Sequence, residues 1–498
     1  MRRKVTQRMA EWRSREGRGC LLIHGARQVG KTYSILDFAR SNYRNVVYVD
    51  FVGDPNARRL FDGYLDVDSV VMQMSLAFPD ARFVPGETVI VLDEIQECPR
   101  ARAALKPFAD DGRYDVIASG SLLGIRLSEV PSMPVGRVDH VWMYPIDFEE
   151  FLWALGLSDD ALDSIRAHIR DRTALGESVH SNLMRYLGWY TVTGGMPEAV
   201  SRFISERKFD EVRRIQNNII EDYKSDISKH CEPIYKTRTE RCFESISRHL
   251  ARDNRRFIYS DVDGSVEYKV GYGYYGYSID WLVQAGTAFE CRRVSDPLIP
   301  AEQSAMDEPF PDDGPVDPRR HHVMKLYMGD TGLLASLYDS SVALEILRGN
   351  QEVNRGALTE NLVACMLRSQ GRKTLFYERT HEMEIDFVLV VGGRPTAVEV
   401  KSGRNRTCRS LNKAMEMYGI RGIMFDTGDI HTDDKGVEHF PIYAAAFMDC
   451  IDPPVDVEFD LGGIEELNRE LTGHRPGHGI EWCSGRDSNP CVGLERAE

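Results

Sequence analysis

A glycine-rich loop that ends in lysine and threonine limits the folds open to this chain more than any other feature. Residues 25–32 read GARQVGKT and match the pattern G-x-x-x-x-G-K-[ST] in full. The apolar residues 21–24 predict a buried strand before the loop, and residues 32–40 predict a helix after it. A strand, this loop and a helix in that order predict a phosphate-binding P-loop. The alternative is a chance glycine loop.

The loop residues are predicted to bind ATP and Mg²⁺. Glycines let the backbone turn tightly enough for its N–H groups to point at phosphate oxygens. Lys31 is expected to reach the β- and γ-phosphates, and the Thr32 hydroxyl is expected to hold Mg²⁺. The helix that begins at Lys31 adds the positive end of its dipole. The predicted nucleotide-binding residues of the loop are Gly25, Ala26, Arg27, Gln28, Val29, Gly30, Lys31 and Thr32.

Two acidic residues follow the predicted strand at residues 88–92. Asp93 is placed to hold Mg²⁺ opposite Thr32, and Glu94 to orient or deprotonate the attacking water. We therefore predict that Asp93 contributes to the nucleotide and metal site and that Glu94 is catalytic. The alternative is a strand end with two solvated acids, which a complete P-loop in the same chain disfavours.

Two more residues are predicted near a γ-phosphate. Ser121 follows the predicted strand at residues 114–118, where a hydroxyl could sense hydrolysis; a polar turn is the alternative. Arg137 could act catalytically on the γ-phosphate of a neighbouring subunit by stabilising the charge that develops in the transition state. A surface salt bridge is the alternative for Arg137. Its predicted role implies a homo-oligomer.

The hydrophobic pattern of the first 120 residues predicts the fold class. Apolar runs at residues 21–24, 46–51, 88–92 and 114–118 alternate with helical stretches. This alternation predicts an α/β fold in which a parallel sheet has helices on both faces. The segment from residue 145 to about 190 is mostly helical in pattern, and a second α/β unit begins near residue 322.

A second set of acids, with a lysine, lies between residues 355 and 403. Residues 355–367 predict an amphipathic helix, residues 384–390 a strand that contains Asp386, and residues 397–401 a strand with Glu399 and Lys401 on one face. This pattern resembles the core of PD-(D/E)XK nucleases. Asp386 and Glu399 are accordingly expected to bind Mg²⁺, with Lys401 as a catalytic residue near the nucleophile.

Two alternatives to a nuclease stay open for this second set. The domain could be an inactive binding module, or the acids and Lys401 could form a buried ion network. Basic residues follow closely and could contact the phosphate backbone of DNA. They are Arg404, Arg406, Arg409 and Lys413.

Several segments carry a family resemblance that covers about residues 1–450. They are residues 25–32, 92–96 (LDEIQ), 120–121 (GS), 143–151 (MYPIDFEEF), 194–200 (GGMPEAV), 325–334 (KLYMGDTGLL) and 399–403 (EVKSG). Together they resemble the prokaryotic AAA-type ATPases that carry a C-terminal domain of unknown function. The resemblance implies ATP binding. It also implies a winged-helix-like segment after the ATPase, which residues 257–293 would supply.

Four regions are predicted from these observations. Residues 1–190 are expected to form an AAA-type ATPase domain with a helical lid, and residues 191–321 a helical and winged-helix-like segment. Residues 322–450 are expected to form the nuclease-like domain. Residues 451–498 are expected to be a disordered tail.

Composition limits the compartment and the partners. No apolar run approaches the roughly 18 residues needed to cross a bilayer, and no apolar stretch follows the basic N-terminus as in a signal peptide. The ten cysteines form no C-x-x-C pair. We therefore expect a cytoplasmic protein without a membrane partner. The formal net charge of −15 excludes a generally basic nucleic-acid coat but allows a local basic groove.

The predicted function follows from the two sets of residues. We expect a protein that binds and hydrolyses ATP and couples its nucleotide state to a DNA-binding or nuclease-like C-terminal domain. The alternative is a nucleotide-dependent regulator or protein-interaction switch without nuclease activity, with a protein partner still to be identified.

Overall fold

Strands and helices alternate along the chain, as the hydrophobic pattern predicts. The computed structural model describes residues 1–120, 136–253, 255–263, 271–294, 297–298, 324–349, 356–372, 375–380, 383–403 and 407–452. The elements up to residue 142 are α1 (Lys4–Ser14), β1 (Cys20–His24), α2 (Lys31–Asn42), β2 (Asn45–Asp50), α3 (Val67–Ala77), β3 (Thr88–Asp93), α4 (Pro99–Asp111), β4 (Asp115–Gly120) and β5 (Val138–Trp142).

The middle of the chain is helical and the last part is mixed. The middle elements are α5 (Phe148–Ala154), α6 (Asp159–Asp171), α7 (Glu177–Thr193), α8 (Pro197–Glu206), α9 (Phe209–His230), α10 (Lys236–Leu250) and α11 (Tyr272–Gln284). The later elements are β6 (Ala288–Arg293), β7 (Met324–Met328), α12 (Thr331–Ser336), α13 (Ser340–Leu347), α14 (Gly356–Ser369), β8 (Leu375–Arg379), β9 (Glu384–Val391), β10 (Arg394–Val400), α15 (Arg409–Tyr418), β11 (Arg421–Asp426), β12 (His431–Thr432), β13 (Glu438–Pro441) and α16 (Met448–Ile451).

The first sheet has five strands in the order β2-β3-β4-β1-β5, and each neighbouring pair is parallel. All five residues of β1 are buried, as expected for a strand covered on both faces. Trp12 of α1 and Phe38 of α2 pack on one face, and Met74 of α3 and Phe108 of α4 pack on the other. The predicted parallel sheet with helices on both faces is confirmed. Because the strands are parallel, the loops after β1, β3 and β4 lie at one edge.

The middle helices share one hydrophobic core with the second sheet. Phe151 of α5 and Leu187 of α7 are buried in the same cluster as Tyr327 of β7 and Leu362 of α14. Helix α7 packs on α12 and α13. The helices after Pro145 therefore gain much of their stability from contacts with the C-terminal half.

The second sheet has eight strands in the order β12-β13-β11-β10-β9-β8-β6-β7 and is mixed. Strands β9 and β10 are antiparallel, whereas β10 and β11 are parallel. One face lies in the shared core beside α14. On the other face, Leu411 and Ala414 of α15 pack against Ala397 and Met424. The predicted helical middle and C-terminal α/β region are confirmed at this level.

Some predictions about organisation are not decided by the fold. Strand β6 comes from the predicted middle segment, yet it pairs with β7 and β8 in the second sheet. The boundaries after residues 190, 321 and 450 and the winged-helix assignment of residues 257–293 stay predictions. The predicted tail lies outside the described residues from residue 453 onward. No helix in the described part of the chain is long and apolar enough to span a membrane.

Candidate nucleotide-binding and catalytic site

The P-loop connects the end of β1 to the start of α2. Gly30 has a φ angle of 92°, in the left-handed region that glycine adopts without a steric cost. A Cβ atom on Gly25 would collide with the carbonyl oxygen of Met143, the residue after β5. Gly30 is thus required by its backbone conformation, and Gly25 is required because the space beside it is too small for a side chain.

Lys31 is folded inward against its own loop. Its Nζ donates hydrogen bonds to the carbonyl oxygens of Gly25, at 3.0 Å, and Ala26, at 2.9 Å. Burial lowers the pKa of the Lys31 ammonium, and the carboxylates of Glu94 and Asp93 oppose that shift. A buried ammonium at a helix N-terminus is a suitable partner for phosphate oxygens, because an anion would compensate the cost of burying the charge.

Asp93 is surrounded by hydroxyl groups at the end of β3. Thr32 Oγ1 lies 3.1 and 2.9 Å from the two carboxylate oxygens of Asp93. Tyr48 donates its phenolic hydrogen to Asp93 Oδ2 at 2.9 Å, and Ser119 Oγ donates to Asp93 Oδ1. The structure therefore brings the predicted pair of Thr32 and Asp93 together. Their hard oxygen atoms fit the coordination preference of Mg²⁺.

Glu94 follows Asp93 with an unusual backbone conformation. Its φ angle is 53°, which is uncommon for a residue with a side chain and is often found at functional sites. Its N–H donates to Ser119 Oγ at 3.0 Å, and its Oε2 accepts a hydrogen bond from Gln96 Nε2 at 2.5 Å. The Glu94 side chain lines the same cleft as Lys31, so the predicted catalytic acid lies beside the P-loop.

A cleft of about 640 Å³ opens over these groups. This volume is within the usual range of small-molecule sites. The P-loop and the end of β3 form one side, while Pro197 and Glu198 of α8 and Ile219 of α9 contribute to the other. The charged residues of the lining are Arg27 and Lys31 together with four acids, Asp50, Asp93, Glu94 and Glu198, a mixture that suits a phosphate ligand bound with a divalent cation.

Ser119 and Tyr48 are contacts that the sequence analysis missed. Strand β4 lies between β1 and β3, so Ser119 at its carboxyl end reaches both Asp93 and the Glu94 backbone. Tyr48 comes from β2, the other neighbour of β3. The Ser-Gly-Ser sequence at residues 119–121 indicates a polar contact at the end of β4, but the strand order decides which hydroxyl meets the acids. The predicted Ser121 lies outside the described residues.

Two predicted loop residues are held by α9. Arg27 forms an ion pair with Asp226 and also places Nη2 at 3.2 Å from His230 Nε2. Gln28 Nε2 donates to Asp222 Oδ2 at 2.8 Å. The three α9 residues are four positions apart and therefore share one face of the helix. Arg27 and Gln28 line the nucleotide cleft as well, so the loop and α9 form one continuous wall.

Arg3 supports the loop from another side, a contact that the sequence analysis also missed. The buried guanidinium donates to the Val29 carbonyl oxygen at 2.9 Å and to the Tyr144 carbonyl oxygen at 2.7 Å. Its Nε lies 3.1 Å from Glu150 Oε2. Glu150 also completes the capping box of α5 with Asp147. The P-loop is thus connected to the segment at residues 143–151.

Arg137 lies at the opposite end of β1 from the P-loop. Its carbonyl oxygen accepts a hydrogen bond from the N–H of Cys20, the first residue of β1, at 3.1 Å. Its Nε forms a salt bridge with Asp110 Oδ1 at 2.7 Å. The surface salt bridge named as the alternative is therefore present. A role of Arg137 in the site of a neighbouring subunit stays a prediction.

The C-terminal acids lie in a buried cluster with two cations. Lys325 Nζ is 2.8 Å from Glu360 Oε1 and 3.4 Å from Asp386 Oδ1. Arg255 pairs with Glu360 and lies 3.6 Å from Asp386 Oδ1, and Tyr327 donates to Glu360 Oε1 at 2.5 Å. Burial acts to raise the pKa of Asp386, but Lys325 and Arg255 outweigh it, so this pKa lies below its ordinary value.

Glu399 and Lys401 form a second pair beside this cluster. Lys401 Nζ lies 2.5 Å from Glu399 Oε1, and the Val400 N–H donates to Asp386 Oδ2 at 3.0 Å. Glu399 Oε2 is buried and has no hydrogen-bond partner among the described residues. Burial raises the pKa of Glu399, and Lys401 acts against this rise. The structure therefore brings Asp386, Glu399 and Lys401 to one region, with Asp386 already paired to cations.

Solved structures give weak overall likenesses to the chain. The Walker-type ATPase of Pyrococcus abyssi is 12% identical with a TM-score of 0.38, and the alignment covers 68% of this chain and 95% of that chain. The Orc1 protein of Aeropyrum pernix in complex with DNA is 14% identical with a TM-score of 0.28, over 70% and 92% of the two chains. Cdc6p of Pyrobaculum aerophilum is 13% identical with a TM-score of 0.23, over 70% and 93%. At TM-scores this low, the likenesses carry no functional argument.

Family comparisons divide the chain into three matched regions. No curated protein matches the sequence significantly. Residues 184–308 and 355–444 match two families described as domains of unknown function, DUF8612 and DUF4143. Residues 17–152 match the family described as AAA domain. This match includes all five strands of the first sheet and the P-loop with the strand and helix on either side of it. Residues 17–152 therefore match an AAA domain in sequence, and they fold as the parallel sheet that carries the P-loop.

Proposed function

We propose that this chain binds ATP with Mg²⁺ and hydrolyses it in the cleft between the P-loop, the end of β3 and α8. One observation carries the proposal. Lys31, Thr32, Asp93 and Glu94 all line this cleft, and Ser119 connects the two acids. The AAA match over residues 17–152 supports the same assignment.

Each of these residues has a distinct role in the proposal. Lys31 exchanges its two carbonyl partners for oxygens of the β- and γ-phosphates. Thr32 and Asp93 hold Mg²⁺, which neutralises negative charge on the phosphates when it is bound. Glu94 accepts the proton of the attacking water. Gln96 orients Glu94 through their 2.5 Å hydrogen bond.

ATP binding and turnover by the full chain test this proposal. Lys31→Ala should lose nucleotide affinity, because the charge that meets the phosphates is removed. Glu94→Gln should keep ATP but hydrolyse it roughly 100-fold more slowly, because an amide does not take a proton from water. Lys106→Ala and Glu97→Gln, on the same domain but outside the cleft lining, are matched controls.

Two outcomes would contradict the assignment. Unchanged ATP affinity and turnover in Lys31→Ala would exclude the P-loop as the phosphate site. Turnover at the wild-type rate in Glu94→Gln would mean that another residue takes the proton.

We further propose that the nucleotide state reaches the rest of the chain through the P-loop contacts. Arg27 and Gln28 contact α9 through Asp226 and Asp222. On the other side of the loop, a Cβ on Gly286 would lie 3.1 Å from the Cβ of Ala26, so the turn between α11 and β6 packs closely on the loop. A change at the phosphates would therefore act on both the helical middle and the second sheet.

A second candidate function, a nucleotide-dependent switch without nuclease activity, is favoured by Lys325. Its ammonium lies between Glu360 and Asp386, two of the acids that a PD-(D/E)XK site would use for its metal. An ammonium and a divalent ion compete for the same carboxylate oxygens. The arrangement supports a buried ion network in preference to a metal-dependent phosphodiesterase.

DNA experiments on the full chain separate the two candidates. A nuclease should cut supercoiled or linear DNA with Mg²⁺ or Mn²⁺ and should lose that activity in Glu399→Ala and Asp386→Asn. A switch should cut no DNA as the wild-type protein, and cleavage that persists in both variants would come from a contaminant. DNA affinity that falls steeply with salt would identify DNA as the partner. Without such affinity, a protein partner is the remaining candidate.

A further inference from the structure

Three side chains with metal-binding atoms meet at the edge of the second sheet that ends in β12. Cys408 precedes α15, Asp433 lies in the turn between β12 and β13, and His439 lies in β13. Cys408 Sγ is 3.9 Å from His439 Nε2, and Asp433 Oδ2 is 3.8 Å from the same nitrogen. The three ligand atoms all lie within 4.8 Å of one another. Together they form a potential coordination site outside the nucleotide cleft.

The ring of His439 is oriented by a buried carboxylate. Its Nδ1 lies 2.8 Å from Asp426 Oδ2, and Asp426 is fully buried at the end of β11. A carboxylate at Nδ1 keeps the ring proton there and leaves the Nε2 lone pair directed at Cys408 and Asp433. His431 stacks on the ring with 4.3 Å between centroids, which further limits its rotation. Metal-binding histidines are commonly held by such a carboxylate.

The backbone of the hairpin turn positions Asp433. Its Oδ1 accepts hydrogen bonds from the N–H groups of Lys435 and Val437, both at 2.9 Å. The carboxylate is therefore fixed by the turn, and Oδ2 is the oxygen directed at His439. Two of the three ligands are thus held in place by contacts that do not involve the third.

We propose that Cys408, Asp433 and His439 bind Zn²⁺, with water at the fourth position. One thiolate, one imidazole and one carboxylate suit zinc, whose bonds to these atoms are about 2.0 to 2.3 Å long. Two such bonds together exceed the 3.8 and 3.9 Å separations measured to His439 Nε2. Mg²⁺ and Ca²⁺ prefer oxygen ligands, so the thiol and the imidazole disfavour them. Bound zinc would connect the start of α15 to the hairpin of β12 and β13.

Titration of the metal-free full chain with Co²⁺ tests this proposal. A cobalt–thiolate absorption band should appear, saturate at one ion per chain, and disappear when Zn²⁺ is added. Cys408→Ser should abolish the band, and serine is close enough in size to preserve the start of α15. Asp426→Asn leaves all three ligands in place and should weaken Co²⁺ binding about 10- to 100-fold.

The sequence provides a matched control. Cys483 and Cys491 lie near the C-terminus in a segment that also contains His474 and His478, and the C483S/C491S variant should keep the band. Thermal unfolding of metal-free Cys408→Ser should match that of the metal-free wild type. The proposal is overturned if the wild type gives no cobalt–thiolate band, if the band persists in Cys408→Ser, or if C483S/C491S abolishes it. An ordinary hydrogen bond between Cys408 and His439 would then account for their contact.

Discussion

The hydroxyl of Ser119 connects the two acids of the nucleotide site. It donates to Asp93 and accepts the N–H of Glu94 at 3.0 Å. The sequence is sufficient to place Lys31, Thr32 and the two acids in one site, because motif spacing ties them to strand ends. It is insufficient to choose Ser119, since that choice depends on β4 lying between β1 and β3. Strand order is set by pairing between segments far apart in the chain, so the local hydrophobic pattern of the sequence says little about it.

Replacement of Ser119 measures what this connection contributes. Ser119→Ala should lower the kcat for ATP roughly tenfold, because Asp93 and Glu94 lose a shared contact that fixes their orientation. ATP affinity should change less, because the P-loop is untouched. Steady-state turnover and nucleotide titration give the two quantities. Ser75→Ala is the control, since this exposed hydroxyl of α3 donates to the Val71 carbonyl oxygen and lies outside the cleft lining. An unchanged kcat in Ser119→Ala would show that the acids are held without it.

The buried carboxyl group of Asp330 should make the free energy of unfolding depend on pH. Burial raises its pKa to about 6, while the N–H groups of Gly195 and Leu333 act against this rise. The folded chain thus holds the proton more tightly than the unfolded chain, where the pKa is about 3.9. The free energy of unfolding should therefore fall as pH rises through this window and level off above it.

The variant Asp330→Asn isolates this effect. Between about pH 5 and about pH 7, the wild type should lose about 1 kcal/mol of stability relative to the variant, because only the wild type titrates here. Asp280, whose pKa is also raised to about 6, titrates in both proteins and cancels in the comparison. Denaturant unfolding at several pH values measures the difference. A difference that does not change with pH would contradict the predicted titration.

Helix α9 is the element that links the nucleotide loop to the helical middle. Asp226 and Asp222 hold Arg27 and Gln28, and Ile219, three residues before Asp222 on the same face of the helix, lines the cleft. Periodicity predicts that a helix exists here and that the first sheet is parallel. It does not predict that α9 lies against the P-loop, nor that β6 joins the second sheet. Both depend on contacts between residues far apart in sequence.

Removal of the Asp226 carboxylate tests this link. In the wild type, ATP should change the hydrogen-exchange protection of α9, because the loop that contacts it meets the phosphates. Asp226→Asn should reduce that ATP-dependent change, since the ion pair with Arg27 is lost. Asp210→Asn, exposed at the start of the same helix, is the matched control and should behave like the wild type. The link would be refuted if α9 shows the same protection with and without ATP in the wild type.

At the scale of the whole molecule, one buried charge cluster joins the middle helices to the second sheet. Arg255 follows α10, Lys325 lies in β7, Glu360 in α14 and Asp386 in β9. The sequence pattern indicates the acids but not their partners, because Lys325 and Arg255 lie 35 and 105 residues from Glu360. A sequence search for acids on strands with a lysine nearby therefore selects Lys401. It overlooks Lys325, the cation that is fully buried.

Lys325 should be essential for stability and should exclude a divalent ion. Lys325→Ala leaves Glu360 and Asp386 in the core with Arg255 as the remaining cation of the cluster, and removal of one partner from a buried ion pair costs roughly 3–5 kcal/mol. The double variant Lys325→Met with Glu360→Gln should recover part of this loss, because an apolar chain of similar length fills the space beside one fewer charge. Lys106→Ala, an exposed lysine of α4, should change stability little. Thermal and denaturant unfolding should be measured with and without Mn²⁺.

If the cluster is a structural ion network, Mn²⁺ leaves the wild-type unfolding temperature unchanged. A Mn²⁺-dependent rise that disappears in Asp386→Asn would instead mean that the acids bind a metal beside Lys325, and the nuclease candidate would then be the stronger one.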